Sequence, residues 1–168
     1  MGGEYSNPGP SQVVDGASVV GSKSGSTNWN GGVTTGTLAD ASIDFNDLIY
    51  LAQNADDYYD PSTGFKVVVL EVGGTFNTYD FNPGGQGEDN GKTLVIFNTS
   101  DKVILDKTSD GRQFGPSVIA PFSTVELKGD AGFIDGFVVA KNFATTGSNM
   151  SQLQIHGDHY EGPIVCKN

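Results

Sequence analysis

The stretches SVIAPFSTVEL (residues 117–127) and FIDGFVVAKNF (residues 133–143) repeat one phrase of small, apolar and polar residues. Val118-Ile119-Ala120 aligns with Val138-Val139-Ala140 at a spacing of 20 residues, and Pro121-Phe122-Ser123-Thr124 aligns more loosely with Lys141-Asn142-Phe143-Ala144. Near the start, VDGASVVGS echoes IDGFVVAKN around Asp15-Gly16 and Asp135-Gly136. Self-similarity at this period marks a coil that stacks on its neighbours and buries a core shared with them. A β-sandwich would instead carry hairpins with cleaner alternation of polar and apolar residues. The phrase therefore reads as architecture, and the expected fold is mainly β: a β-solenoid (β-helix) with one helix along it.

The rest of the chain fits that frame. Residues 1–36 are turn-rich, with YSNPGPSQ, GSKSGSTNWNGG and TTG around the apolar piece VVDGASVV, which reads as short strands between loops. Residues 42–59, SIDFNDLIYLAQNADDYY, place Phe45, Leu48, Ile49, Ala52, Ala55 and Tyr59 on one face at helical spacing. Ser42 or Asp44 can cap the start, and DPSTG at residues 60–64 ends the segment, so one long helix is expected there. FKVVVLEV and KTLVIFNT are dense in β-branched and aromatic residues, as buried strands are.

Length and charge narrow the function. A chain of 168 residues is one ordinary domain, long enough to bury a core without disulfide staples. Cys166 is alone, so neither an internal disulfide nor a cysteine-pair metal site is available. The formal charge of −11 argues against nucleic acid and anionic membranes, which both need a positive surface. No apolar run approaches the roughly 18 residues of a membrane helix. The opening MGGEYSNPGP lacks the regions of a signal peptide and reads as the start of a domain excised from a longer secreted protein. Acidity with abundant glycine and few lysines suits an extracellular chain. Asn98 and Asn149 head two glycosylation sequons, which point the same way.

GPSVIAPFSTVELKGDAGFIDGFVVAKNF, followed by LQIHGDHYEG, resembles the choice-of-anchor A domain, an ice-binding-like adhesive family. Val118, Ile119, Ala120 and Pro121 match its first strand phrase. Ile134, Asp135, Gly136, Val138, Val139, Ala140, Lys141 and Phe143 match the second, and His156 and Gly162 the closing one, from which Asp158-His159-Tyr160 departs. In the front half SQVVDGASVVGS agrees more weakly. The resemblance implies a right-handed β-solenoid with a long α-helix packed alongside, and a secreted module held to surfaces by separate anchors. It implies no catalytic residues.

The residues themselves agree on the last point. His156 and Asp158 would share one face of a strand while His159 points away, which is half a zinc site at best. The acidic groups Asp56-Asp57-Asp60 and Glu88-Asp89 lack the alternating oxygens and central glycine of a calcium loop, leaving room only for weak calcium binding. No Gly-x-Ser-x-Gly elbow occurs, and GGQG is too short for a phosphate cradle. Lys141 reads as a solvated lysine.

The expected function is therefore a non-enzymatic adhesive or structural module, without a cofactor, on a cell surface or in a matrix. Binding would use a flat sheet face or end loops, with Trp29, Tyr5, Tyr79 and Tyr160 as contact aromatics. The expected partner is a surface or matrix protein, a glycan, or another copy. Ice binding is the alternative, but the threonines of VTTGT, FNTY, FSTVE and ATTG do not repeat in register.

Overall fold

A computed structural model describes residues 4–6, 12–14, 18–20, 22–24, 27–29, 33–35, 45–81, 91–107, 113–128, 133–146, 154–155 and 160–167. Of the strands that precede residue 36, only the backbone pairing is described. The fold is mainly β, with one mixed sheet curled into a half-barrel.

The centre of this sheet is parallel. β8 (Lys66–Leu70), β10 (Thr93–Phe97), β12 (Ser117–Lys128) and β14 (Val138–Thr146) lie side by side in chain order. The 20-residue phrases are neighbours in register: Val118 faces Val138, Ile119 faces Val139 and Ala120 faces Ala140. Parallel strands buried on both faces read as continuous apolar runs, which accounts for KVVVL and TLVIF. Val68, Leu70, Val95, Phe97, Val118 and Ala120 point into the main core. The alternate residues Val67, Val69, Leu94, Ile96, Ile119 and Val139 point to the other side, against the helix.

That helix is α1 (Phe45–Asn54), of 10 residues. It packs Leu48 and Ala52 on the sheet and leaves Tyr50 exposed. The expected helix over 42–59 is thus corrected: residues 42–44 lie outside the described residues, and the helix ends at Asn54. The Ala55 N–H closes the last turn on the Leu51 carbonyl at 2.8 Å, and past it the backbone finds partners elsewhere. Ala55 bridges Cys166, the Asp56 N–H donates to the Val165 carbonyl at 2.8 Å, and Lys167 N–H donates to the Asn54 carbonyl at 2.7 Å. β7 (Tyr58–Tyr59) then pairs antiparallel with β8.

The β7–β8 turn is organised by Asp60. One carboxylate oxygen accepts the Ser62 N–H at 2.8 Å and the Ser62 hydroxyl at 2.7 Å, and the other accepts the Thr63 hydroxyl at 2.8 Å. Gly64 closes the turn at φ 79°, a left-handed conformation that favours glycine. The Ser62 hydroxyl first, then that of Thr63, holds the Asp60 carboxyl below the usual carboxylate range. A lowered carboxyl stabilises the fold above its unfolded pKa, and that contribution is lost as pH falls through the lowered value. The melting-temperature gap between the parent and Asp60→Asn should therefore narrow on acidification below the ordinary Asp range. A gap independent of pH would show that the charge on Asp60 contributes nothing.

The expected right-handed β-solenoid with one long α-helix is overturned. Solenoid turns stack in chain order with even coils, whereas β1 (Glu4–Ser6) and β4 (Ser22–Ser24) add to the sheet beyond β14, and β7 runs antiparallel at the opposite edge. β12 is also too long for one coil. It pairs with β10 over its first part and with β11 (Val103–Leu105) over its last, across a register shift between Ala120 and Thr124. Pro121 lies in that bulge, where a missing N–H is tolerated. The bulge reverses side-chain parity: Val118 and Ala120 face the core before it, Val125 and Leu127 after it. One strand thereby serves two segments of a bent sheet.

Smaller pieces close the core. β9 (Gly74–Phe76) pairs with β11, and α2 (Thr78–Phe81) puts Phe81 against Phe114 and Phe76. β13 (Phe133–Ile134), β15 (Gln154–Ile155), β2 (Gln12–Val14) and β5 (Thr27–Trp29) form a second sheet, to which Ile134 and Ile155 give core side chains. β3 (Ser18–Val20) pairs with β6 (Val33–Thr35).

Candidate binding face

The bulge in β12 divides the outer side of the large sheet into a part on which α1 packs and a part beyond it. Before it, α1 lies on the sheet. After it, the outer side belongs to β9, β11, β12, β14, β1 and β4, six strands that are all mutually parallel. One register row crosses them: Thr75, Ile104, Glu126, Ala144, Ser6 and Ser24. The next row inward is apolar at Val103, Val125 and Phe143, so the alternation of a one-sided sheet is satisfied. Thr75 is exposed, and Ile104, Glu126 and Ala144 are half-buried.

The chemistry of this face is mainly small and polar with fixed charges, with Ile104 as an apolar position in the row. Thr124 neighbours Asn142, whose side-chain amide donates to the Thr124 hydroxyl at 3.3 Å. Lys102 forms an ion pair with Glu126, and Lys128 pairs with Asp106 at 2.6 Å. In each pair the lysine is exposed and the carboxylate largely covered, Glu126 at 13% and Asp106 at 20% side-chain exposure. The two pairs fix the positions of these charges on the sheet.

Of the expected contact aromatics, Tyr160 serves the body of the protein. Its ring sits edge-on to Phe65 at 5.7 Å, and its hydroxyl donates to the Pro163 carbonyl at 2.9 Å. Burial, and secondly the neighbouring Tyr58, raises its pKa. Tyr79 is half-buried in α2, where its N–H donates to the Asn77 side chain at 2.9 Å. Tyr5 and Trp29 lie in β1 and β5. Among the described residues, the aromatics that do face solvent are Tyr50 and Tyr59, the latter 63% exposed. Helical periodicity assigned Tyr59 to the buried stripe, but it stands in β7, beside an open hollow lined by Asp57, Tyr58, Lys66, Val67 and Val68.

His156, Asp158 and the sequon residue Asn149 lie outside the described residues. Asn98 follows β10 directly, its N–H donating to the Leu70 carbonyl at 2.8 Å. Cys166 and Lys141 are exposed. Among the described residues no group of three or more His, Cys, Asp or Glu side chains could hold a metal ion, and no helix is long and apolar enough to cross a membrane. No protein-family model matches the chain, and neither a curated protein nor a solved structure matches it.

Proposed function

We propose that this chain is a non-enzymatic extracellular module of a cell surface or matrix, adhesive or structural, and that it binds through the outer face of β9, β11, β12, β14, β1 and β4. The single observation that carries the reading is the continuous register row across those strands, on the side of the sheet away from the main core and beyond the part that α1 packs on. The charge of −11 and the resemblance of residues 115–162 to an adhesive family support the same assignment. Small hydroxyl, amide and paired charged groups suit a polar surface, either a glycan or a protein. Glu126, paired with Lys102 in the middle of the row, interrupts the uniform Thr, Ser or Ala array that ice would need.

The test is retention of glycans, matrix proteins and cells by the immobilised domain, compared with Ala144→Arg. An arginine there should weaken retention by about tenfold, equivalent to about 1.4 kcal/mol, with little change in melting temperature. Gln53→Arg on the exposed side of α1 adds the same charge elsewhere and should leave retention intact. Equal loss in both variants would place the binding site off this face. Strong thermal hysteresis would favour ice binding instead, and turnover of a polysaccharide would show an enzyme.

A further inference from the structure

The ladder that carries the binding face has two ends, and both are strand edges. At one end β9 pairs with β11 alone, and at the other β4 pairs with β1 alone, among the described residues. In β9 the Gly74 N–H donates to the Lys102 carbonyl at 3.0 Å, and the Phe76 carbonyl accepts the Asp106 N–H at 2.9 Å. Alternate residues of a parallel strand bond to opposite neighbours, so the backbone groups of Thr75 point away from the sheet. Thr75 is exposed, and so are Glu71 and Val72 just before the strand. Such an edge is a template for another strand.

The two ends differ in charge. Around β9 stand the exposed acids Glu71 and Asp101, the latter with its side chain against Gly73, and the exposed Lys102, whose ammonium is taken up by its ion pair with Glu126. Around β4 the sequence between Asp15 and Asp40 has one charged residue, Lys23, on the edge strand itself; pairing adds one acid, Glu4 of β1, one strand in from the edge and in register with Ser22. In register, Lys23 ends the row that runs through Gly74, Val103, Val125, Phe143 and Tyr5. Continuing the same ladder into a second copy would set Lys23 opposite Gly74, which has no side chain to obstruct it, and close to the acids. Ser24 would meet Thr75, extending the outer row without a break.

We propose that copies of this chain join head to tail, with β4 of one copy adding as a parallel strand to the free edge of β9 in the next. Joining two different edges does not close on itself, so the product is an open-ended series rather than a symmetric dimer. The joint extends the face described above but does not depend on that face binding anything.

Sedimentation velocity of the full chain over a range of concentrations should show successive oligomers without a preferred end point, fewer of them at high salt. Lys23→Glu should suppress growth, and so should Glu71→Lys. Mixing the two variants should restore it, because each then offers the edge charge that the other lacks. Thr75→Pro, which deletes the outward N–H, should stop growth while leaving the melting curve of a folded protein. Restoration on mixing supports the joint even if the proline variant fails to fold. A monomer at every concentration, a dimer that grows no further, or growth indifferent to both charge reversals would overturn the proposal.

Discussion

Gly136→Ala should destabilise the fold by about 3 kcal/mol, a value at the upper end of the usual cost of overpacking. A Cβ on Gly136 would stand 2.5 Å from the Ser117 nitrogen and 2.6 Å from the Ser117 Cα. Backbone on both sides of that contact cannot swing away as a side-chain tip can. The two segments are also bonded: the Val118 N–H donates to the Phe137 carbonyl at 2.7 Å, and the Asp135 N–H donates to the Phe114 carbonyl at 3.0 Å. Asp135 is itself only 6% exposed, so the corner cannot shift outward cheaply. For a chain of this length the loss corresponds to a fall in melting temperature of about 10 °C. Gly162→Ala is the informative control, since its new Cβ would meet mainly the tip of Tyr160 and the ring of Phe65. A Gly136→Ala variant that melts with the parent would mean that the Asp-Gly corner approaches Ser117 less closely than described.

This corner shows how far the sequence could be read. The Asp-Gly pair marks a tight place, and the repeat at 20 residues predicts that its flanking strands are neighbours, as the Val118–Val138 and Ile119–Val139 registers show. What the repeat could not convey is order and curvature. The addition of β1 and β4 beyond β14 depends on pairings distant in sequence, and the bend in β12 rests on one bulge at Pro121 to Ser123, which leaves little periodic trace. An expectation of uniform coils followed from treating the repeat as the whole plan. The helix was overextended for a related reason. Ala55 and Tyr58 continue the apolar stripe of α1, but they are covered as an extended segment, Ala55 bridged to Cys166 and Tyr58 paired with Val67. Periodicity records burial without saying which element supplies it.

The proposed binding face is legible in the sequence only in kind. The sequence suggests a sheet face, but its aromatics point to Tyr160 and Tyr79, which have partners within the protein, and away from a row of Thr, Ile, Glu, Ala and Ser. Small polar residues in a strand look the same in sequence whether or not another element covers them. Only the position of α1, on one side of the bulge and not the other, separates the two cases.

The same division sets the outcome of Ile119→Asp, which should leave the chain unfolded. Ile119 lies on the covered side, 4% exposed, among Leu94, Ile96 and Val139 on the sheet and Leu48 and Ala52 of α1. Its register neighbours are Ile96 in β10 and Val139 in β14, so no polar side chain flanks it in the ladder. A carboxylate there would have to be buried without a partner or take up a proton, and either costs several kcal/mol. Loss of the apolar side chain adds about 2–5 kcal/mol. Together these match the roughly 5–15 kcal/mol by which a domain is normally stable. Ile119→Val keeps the shape of the site and should cost only about 1 kcal/mol. Circular dichroism and thermal melting distinguish the two variants directly. If Ile119→Asp stayed folded and melted with the parent, the face of the sheet under α1 would be misassigned, and the contrast that singles out the part beyond α1 would fall with it.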